Sequence, residues 1–155
     1  MNYFLGFTET TRILTISEDG LTQTYTAIKD IKPGDTVISA RSGKPVLVVH
    51  CGFKVVNSAR LLKFRKNSFG ENCPFEDITI CDSLRIIMNL MNTNNTTTIS
   101  LILFAEKYIE VEVNTPIKLY NIDLQDNDEG VVVSGIPMQS MEINGLWERL
   151  NMTSN

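Results

Sequence analysis

Gly6-Phe7-Thr8-Glu9-Thr10-Thr11-Arg12-Ile13, followed by Ile28-Lys29-Asp30-Ile31-Lys32-Pro33-Gly34-Asp35-Thr36-Val37, is the stretch on which the fold of this chain is read. Between the two segments, Arg12 to Ile16 alternates polar and apolar residues as a half-buried strand does. Ser17-Glu18-Asp19-Gly20 closes that strand with an Asp-Gly pair suited to a tight turn, because glycine accepts positive φ without steric cost. Tyr25 to Ile28 is the expected return strand. In Lys32-Pro33-Gly34-Asp35 the proline presets φ and the glycine takes the left-handed corner, which delivers the chain into a strand over Thr36 to Ala40.

The same logic extends outward. Ser42-Gly43-Lys44-Pro45 is the next turn, and Val46-Leu47-Val48-Val49 is apolar on both faces. Further strands are expected over Arg60 to Phe64, Asp77 to Cys81, Leu84 to Ile87, Ile99 to Phe104, Tyr108 to Val113, Lys118 to Asp123 and Val131 to Ser134. No long amphipathic helix interrupts them, so the pattern predicts an all-β body of many short strands, sandwich-like or barrel-like. The polar, low-complexity run from Asn89 to Thr98 predicts an exposed loop over 88–98. In the C-terminal segment 141–155, Trp147-Glu148-Arg149-Leu150 is expected to form a helical turn before a frayed Asn151 to Asn155.

A chain of 155 residues suits one domain, 1–155, with a single core. Its 43% hydrophobic and 21% charged residues are those of a folded globular protein. The net charge of -4 and pI near 5.0 argue against a nucleic-acid partner, which clustered Lys and Arg would serve. Arg60, Lys63, Arg65 and Lys66, interleaved with Leu61, Leu62 and Phe64, are a local exception that could meet an acidic partner, although a strand with one wet face has the same pattern. Cys51, Cys73 and Cys81 are odd in number and irregularly spaced, which points to reduced thiols and an intracellular setting. Met1 to Phe7 lacks the basic and long apolar regions of a secretion signal, and nothing approaches the ~20 apolar residues of a membrane span.

The opening segments resemble a Hint domain, the self-processing module shared by Hedgehog proteins and inteins. The family pattern there reads roughly Cys-Phe-x-x-Gly-Thr-x-Ile, which places Gly6 at the nucleophilic cysteine. The resemblance runs from residue 6 to 140, and the chain looks like the Hint-type proteins of large DNA viruses. Asn67 to Ile80 is similar to the family stretch leading to a strand and a Gly-Gly-His or Ser-x-x-His element, so Leu84 falls on the family histidine. Ile117-Lys118-Leu119-Tyr120-Asn121-Ile122-Asp123-Leu124 is similar to Val-Tyr-His-Ile-Glu-Leu, with Asn121 at a second histidine. Asp128 to Gly135 resembles His-x-x-Ile-x-Val-Asn-Gly, with Asp128 at a third, and Gln139-Ser140 falls on a Glu-Ser ending.

The chemistry implied by that resemblance needs what these positions lack. An N-to-S acyl shift requires a thiol to attack the preceding carbonyl, a proton donor for the leaving nitrogen and groups that hold the oxyanion. Imidazole suits the proton transfers because its pKa lies near neutrality. Gly6 has no nucleophile, Leu84 carries no proton, Asn121 does not titrate, and only five residues precede position 6 as a segment to release. Thr8, Thr10 and Thr11 are hydroxyls near the right place but without an evident base, and the terminal Ser154-Asn155 lacks a preceding histidine.

Other constellations are weaker. His50, Cys51, Cys73 and Cys81 number enough for zinc but lack ligand-pair spacing. Asp123, Asp126, Asp128 and Glu129 lack the spacing and glycine of a calcium loop. No phosphate-binding glycine loop, paired-carboxylate site or Ser-His-Asp set is assembled. The expectation is therefore a Hint-like module that is not an enzyme, has no cofactor, metal or small-molecule substrate, and binds neither nucleic acid nor membrane. Its expected partners are other proteins, viral capsid proteins or further copies of itself, in a virion or host cytoplasm, with Ile136-Pro137-Met138 and Leu146-Trp147 as candidate apolar patches. Residual self-processing by a displaced nucleophile is the alternative.

Overall fold

The structure, a computed structural model, describes residues 6–82, 84–89, 96–139 and 153–154. The all-β expectation holds. The strands are β1 (Phe7–Thr8), β2 (Arg12–Ile16), β3 (Gln23–Ala27), β4 (Thr36–Ile38), β5 (Pro45–Val56), β6 (Ala59–Phe64) and β7 (Ile78–Cys81). They continue as β8 (Arg85–Asn89), β9 (Thr96–Ser100), β10 (Tyr108–Val113), β11 (Ile117–Leu124), β12 (Val131–Val133), β13 (Ile136–Met138) and β14 (Thr153–Ser154). All fourteen join one antiparallel system in the order β10-β6-β7-β1-β11-β5-β4-β2-β12-β13-β8-β9, with β3 added to β2 and β14 to β5. No described helix is long and apolar enough to cross a membrane.

The long strand β5 connects the two halves of that order. Its first residues pair with β4, Pro45 opposite Ile38 and Leu47 opposite Thr36. From Val48 onward it pairs with β11, Val48 opposite Leu124 and Val56 opposite Ile117. The register slips between Asp123 and Leu124, so Val49 is the extra residue of a β-bulge, a feature that bends a strand where it changes partner.

The turns follow their residue chemistry. Gly20 takes φ 75° and its N–H reaches the Ser17 carbonyl at 2.9 Å, closing the β2–β3 hairpin. Gly34 takes φ 94° after Pro33, with the Asp35 N–H on the Lys32 carbonyl at 3.0 Å. The β12–β13 hairpin turns on Ser134 and Gly135, both at positive φ (47° and 96°), the pair of values a type I′ turn demands.

Several elements differ from the sequence reading. Of the loop expected over 88–98, the described ends are strand, Met88 paired with Thr97 and Asn89 with Thr96, while residues 90–95 lie outside the described residues. Threonine is a good strand former, and the lack of apolar alternation hid this strand. The strand expected over Ile99 to Phe104 ends at Ser100, after which Leu101–Lys107 forms 3-10 turns kinked at Phe104. β1 and β13 are additional strands of two and three residues. The expected helical turn at Trp147 to Leu150 and the Leu146-Trp147 patch lie outside the described residues. Within the segment expected to fray, Thr153–Ser154 pair with Cys51 and His50.

The core is continuous from Phe7, Leu62, Phe64 and Ile80 through Leu119 and Ile122 to Val131, Val133, Ile136 and Met138, all but inaccessible to solvent. Ile136 and Met138 thus belong to the interior rather than to an apolar surface patch. A cluster of Phe64, Phe69, Phe104 and Tyr108, with ring centroids 5.1–5.5 Å apart, packs at the β6–β10 end.

Candidate functional site

Gly6 is buried and immediately precedes β1, whose Phe7 lies opposite Tyr120 on β11. A β-carbon at position 6 would stand 2.7 Å from the Cβ of Leu119 and 3.4 Å from its carbonyl carbon. Carbon atoms pack at about 3.5–4.0 Å, so this position closes on any side chain unless β1 or β11 moves. The close approach of the two backbones explains the glycine.

Asn121 is two residues along β11 from Leu119, buried to 2% exposure and opposite Gly52 on β5. It lines a cavity of about 350 Å³ together with Cys51, Phe53 and Tyr120 on the sheet and Lys29 and Pro33 on the chain crossing it. Burial and the nearby Asp35 charge push the Cys51 thiol up to about 12, so it remains protonated and is a poor nucleophile at neutral pH. Burial also raises the Tyr120 hydroxyl, with Glu9 and Asp30 adding to the effect.

The other two positions have different surroundings. Leu84, 1% exposed, sits in the connection from β7 to β8, its N–H on the Cys81 carbonyl and its carbonyl accepting from Leu101, each at 3.3 Å. It is a core residue. Asp128 is exposed in the 3-10 turn Asn127–Glu129, where its N–H meets Asp126 Oδ1 at 3.0 Å and its carbonyl accepts from Arg41 Nε at 2.5 Å. Gly6 abuts Leu119, two residues along β11 from Asn121, while Leu84 packs in the interior and Asp128 is tied into a surface turn.

The threonines open onto a different cavity, about 260 Å³ and polar, bounded by Thr8, Thr10, Thr11, Thr79, Glu76 and Ser134 among others. Thr8 Oγ1 donates to the Thr79 carbonyl at 3.0 Å and lies 3.0 Å from Thr11 Oγ1. Arg12 grips Glu76 with Nε and Nη2, both at 2.8 Å, and Ser134 Oγ donates to the same carboxylate at 2.9 Å. The Arg12 hydrogen bond holds the Glu76 carboxyl below the usual glutamate range, with Ser134 reinforcing it against partial burial. A carboxylate so stabilised is a weak base for a neighbouring hydroxyl. Sequence reasoning missed this Arg12–Glu76–Ser134 link, since its bonded partners lie 64 and 58 residues apart and no local pattern announces them.

The remaining candidates resolve into structural contacts. His50 Nδ1 is 3.2 Å from Asp123 Oδ2, and Cys73 Sγ is 3.3 Å from the Gly135 carbonyl. Among the described residues no three His, Cys, Asp or Glu side chains gather as a metal site would require. The acidic run disperses likewise: Asp123 accepts from Asn127 Nδ2 at 2.6 Å, Asp126 caps the turn, and Glu129 accepts from the hydroxyls of Ser39 and Ser42. Those hydroxyls, Ser39 first, hold the Glu129 carboxyl below its ordinary value.

No family model matches the chain, and no curated protein matches it. Among solved structures it is similar to the crystal structure of the gp41-1 intein, with a TM-score of 0.50 and 14% identity over 90% of this chain and 100% of that one. With a body built almost wholly of antiparallel strands, that similarity shows the chain to have a Hint/intein-like β fold.

Proposed function

We propose that this chain is a Hint-like module that performs no self-processing and acts as a structural or protein-binding unit. The closure of position 6 on Leu119 carries the reading: where the sequence resemblance calls for a nucleophilic side chain, the Leu119 β-carbon on β11 leaves room only for hydrogen. Leu84 in the core and Asn121 in its cavity supply no group that titrates near neutrality, so an acyl shift lacks both its attacking atom and its proton donor. The hydroxyl of Thr8 is spent on the Thr79 carbonyl, and the carboxylate of Glu76 beside it is held in its ionised form by Arg12.

The test is a fusion of a small soluble domain to the N-terminus, incubated with and without thiol or hydroxylamine across a range of pH and read by intact mass. The expected mass is unchanged throughout, and Gly6→Cys is expected to lower stability without releasing the fusion. Cleavage of the unsubstituted protein at the junction would overturn the reading. The setting in a large-DNA-virus particle is supported by the sequence resemblance alone. Mass spectrometry of purified particles tests it, and absence of the chain from them counts against a capsid-associated role.

A further inference from the structure

We propose that the free edge of β10 takes an extended acidic segment of a partner protein as an added strand, guided by a cationic recess beside it. The proposal rests on the protein-binding reading and names its surface. β10 ends the strand order and pairs only with β6, so its outer backbone groups have no partner among the described residues. An unpaired edge offers a ready template for another chain.

What distinguishes this edge is its flank. A recess of about 370 Å³ runs from Tyr108 and Ile109 of β10 to Lys63, Arg65, Lys66 and Lys107. None of these four cations makes an ion pair with a described residue. Lys107 is held in place, its Nζ 3.0 Å from the Ser68 carbonyl and 5.7 Å from the centre of the Phe69 ring. Ile109, half exposed on the edge itself, offers an apolar contact to a side chain of the incoming strand.

The carboxylates nearby decide between classes of polyanion. Glu106 lines the recess, Glu110 is tied to Arg60 farther along β10, and Glu112 lies beyond it, opposite Arg60 in the register. Asp77 accepts the Lys66 backbone N–H at 2.8 Å. A nucleic-acid backbone laid along the strand would carry uniform negative charge past Glu110 and Glu112. A peptide can instead concentrate its acidic residues at the Tyr108 end and pair with the rest of β10 through uncharged positions.

The experiment is fluorescence anisotropy with the intact chain and a labelled decapeptide of glutamates followed by alternating threonine and valine. Saturable binding is expected, weakening as salt rises because the guiding charges are exposed. Lys63→Glu, Arg65→Glu and Lys66→Glu combined should weaken it by at least about tenfold, and the milder pair Arg65→Gln with Lys66→Gln by a smaller factor if the triple variant misfolds. A peptide of the same sequence with alternate backbone nitrogens methylated keeps its charge but cannot pair as a strand, and its binding should fall by a similar factor. No saturation, equal binding by the methylated peptide or by the charge variants, or equally tight binding of a single-stranded DNA oligomer would overturn the proposal. Failed peptide binding with an intact fusion removes this surface and leaves the non-processing module standing. A cleaved fusion with peptide binding retained does the reverse.

Discussion

At the scale of single residues, the backbone sets the strictest demands. Gly135 combines φ 96° with an approach to Asn72 that would drive a β-carbon into its carbonyl oxygen, while Gly43, at φ 72°, has nothing within 4 Å of that position. Gly135→Ala is therefore expected to cost about 2 kcal/mol or more and Gly43→Ala about 1 kcal/mol, measured by urea denaturation, because only the first adds a clash to the left-handed conformation. Glu76 makes a pH prediction. Its pKa is lowered from the ordinary 4.5 in the folded chain by the Arg12 hydrogen bond, so the stabilisation is complete above the unfolded value and is lost as pH falls through the folded one. The pair is partly exposed, so Glu76→Gln should cost about 1 kcal/mol or less at neutral pH after screening. Urea midpoints of the two proteins should converge as the solution is acidified below that range. The glycine turns at Gly20, Gly34 and Gly43 were legible in sequence because turn chemistry is local; the Arg12–Glu76 contact was not, because nothing local encodes it.

At the scale of elements, short strands carry more than their length suggests. β1 has two residues, yet Phe7 is fully buried and joins β11 on one side to β7 on the other. Phe7→Ala is expected to remove about 3–5 kcal/mol, read from the shift in the denaturant midpoint, since it empties a core position and loosens the seam between two longer strands. A strand of two residues shows no period, so β1 could not be read from the sequence, whereas Tyr108–Val113 could, since its limits coincide with a run of β-branched and acidic residues. β5 illustrates a different limit: Val46 to Val49 was evident as an apolar run, but its continuation through His50, Gly52 and Lys54 depends on pairing with β11 rather than on its own composition.

At the scale of the whole molecule, β5 belongs to both halves of the sheet system, and Val48, fully buried, is the residue at which it passes from β4 to β11. The two halves should consequently unfold together: backbone signals in far-ultraviolet circular dichroism and side-chain signals in the near-ultraviolet are expected to give coincident urea transitions, and Val48→Ala should shift both by the same amount. Separate transitions would mean that β5 does not couple the halves. Sequence alone determined the all-β class, the main turns and the resemblance that marks Gly6, Leu84, Asn121 and Asp128, because alternation, turn residues and motifs are properties of neighbouring residues. Only the tertiary structure decided that Gly6 is closed by Leu119, that Leu84 is core while Asp128 is tied to Arg41, and that β10 ends the described strand order beside a cationic recess. Each of those facts is a contact between residues distant along the chain, fixed by the register in which the strands pair.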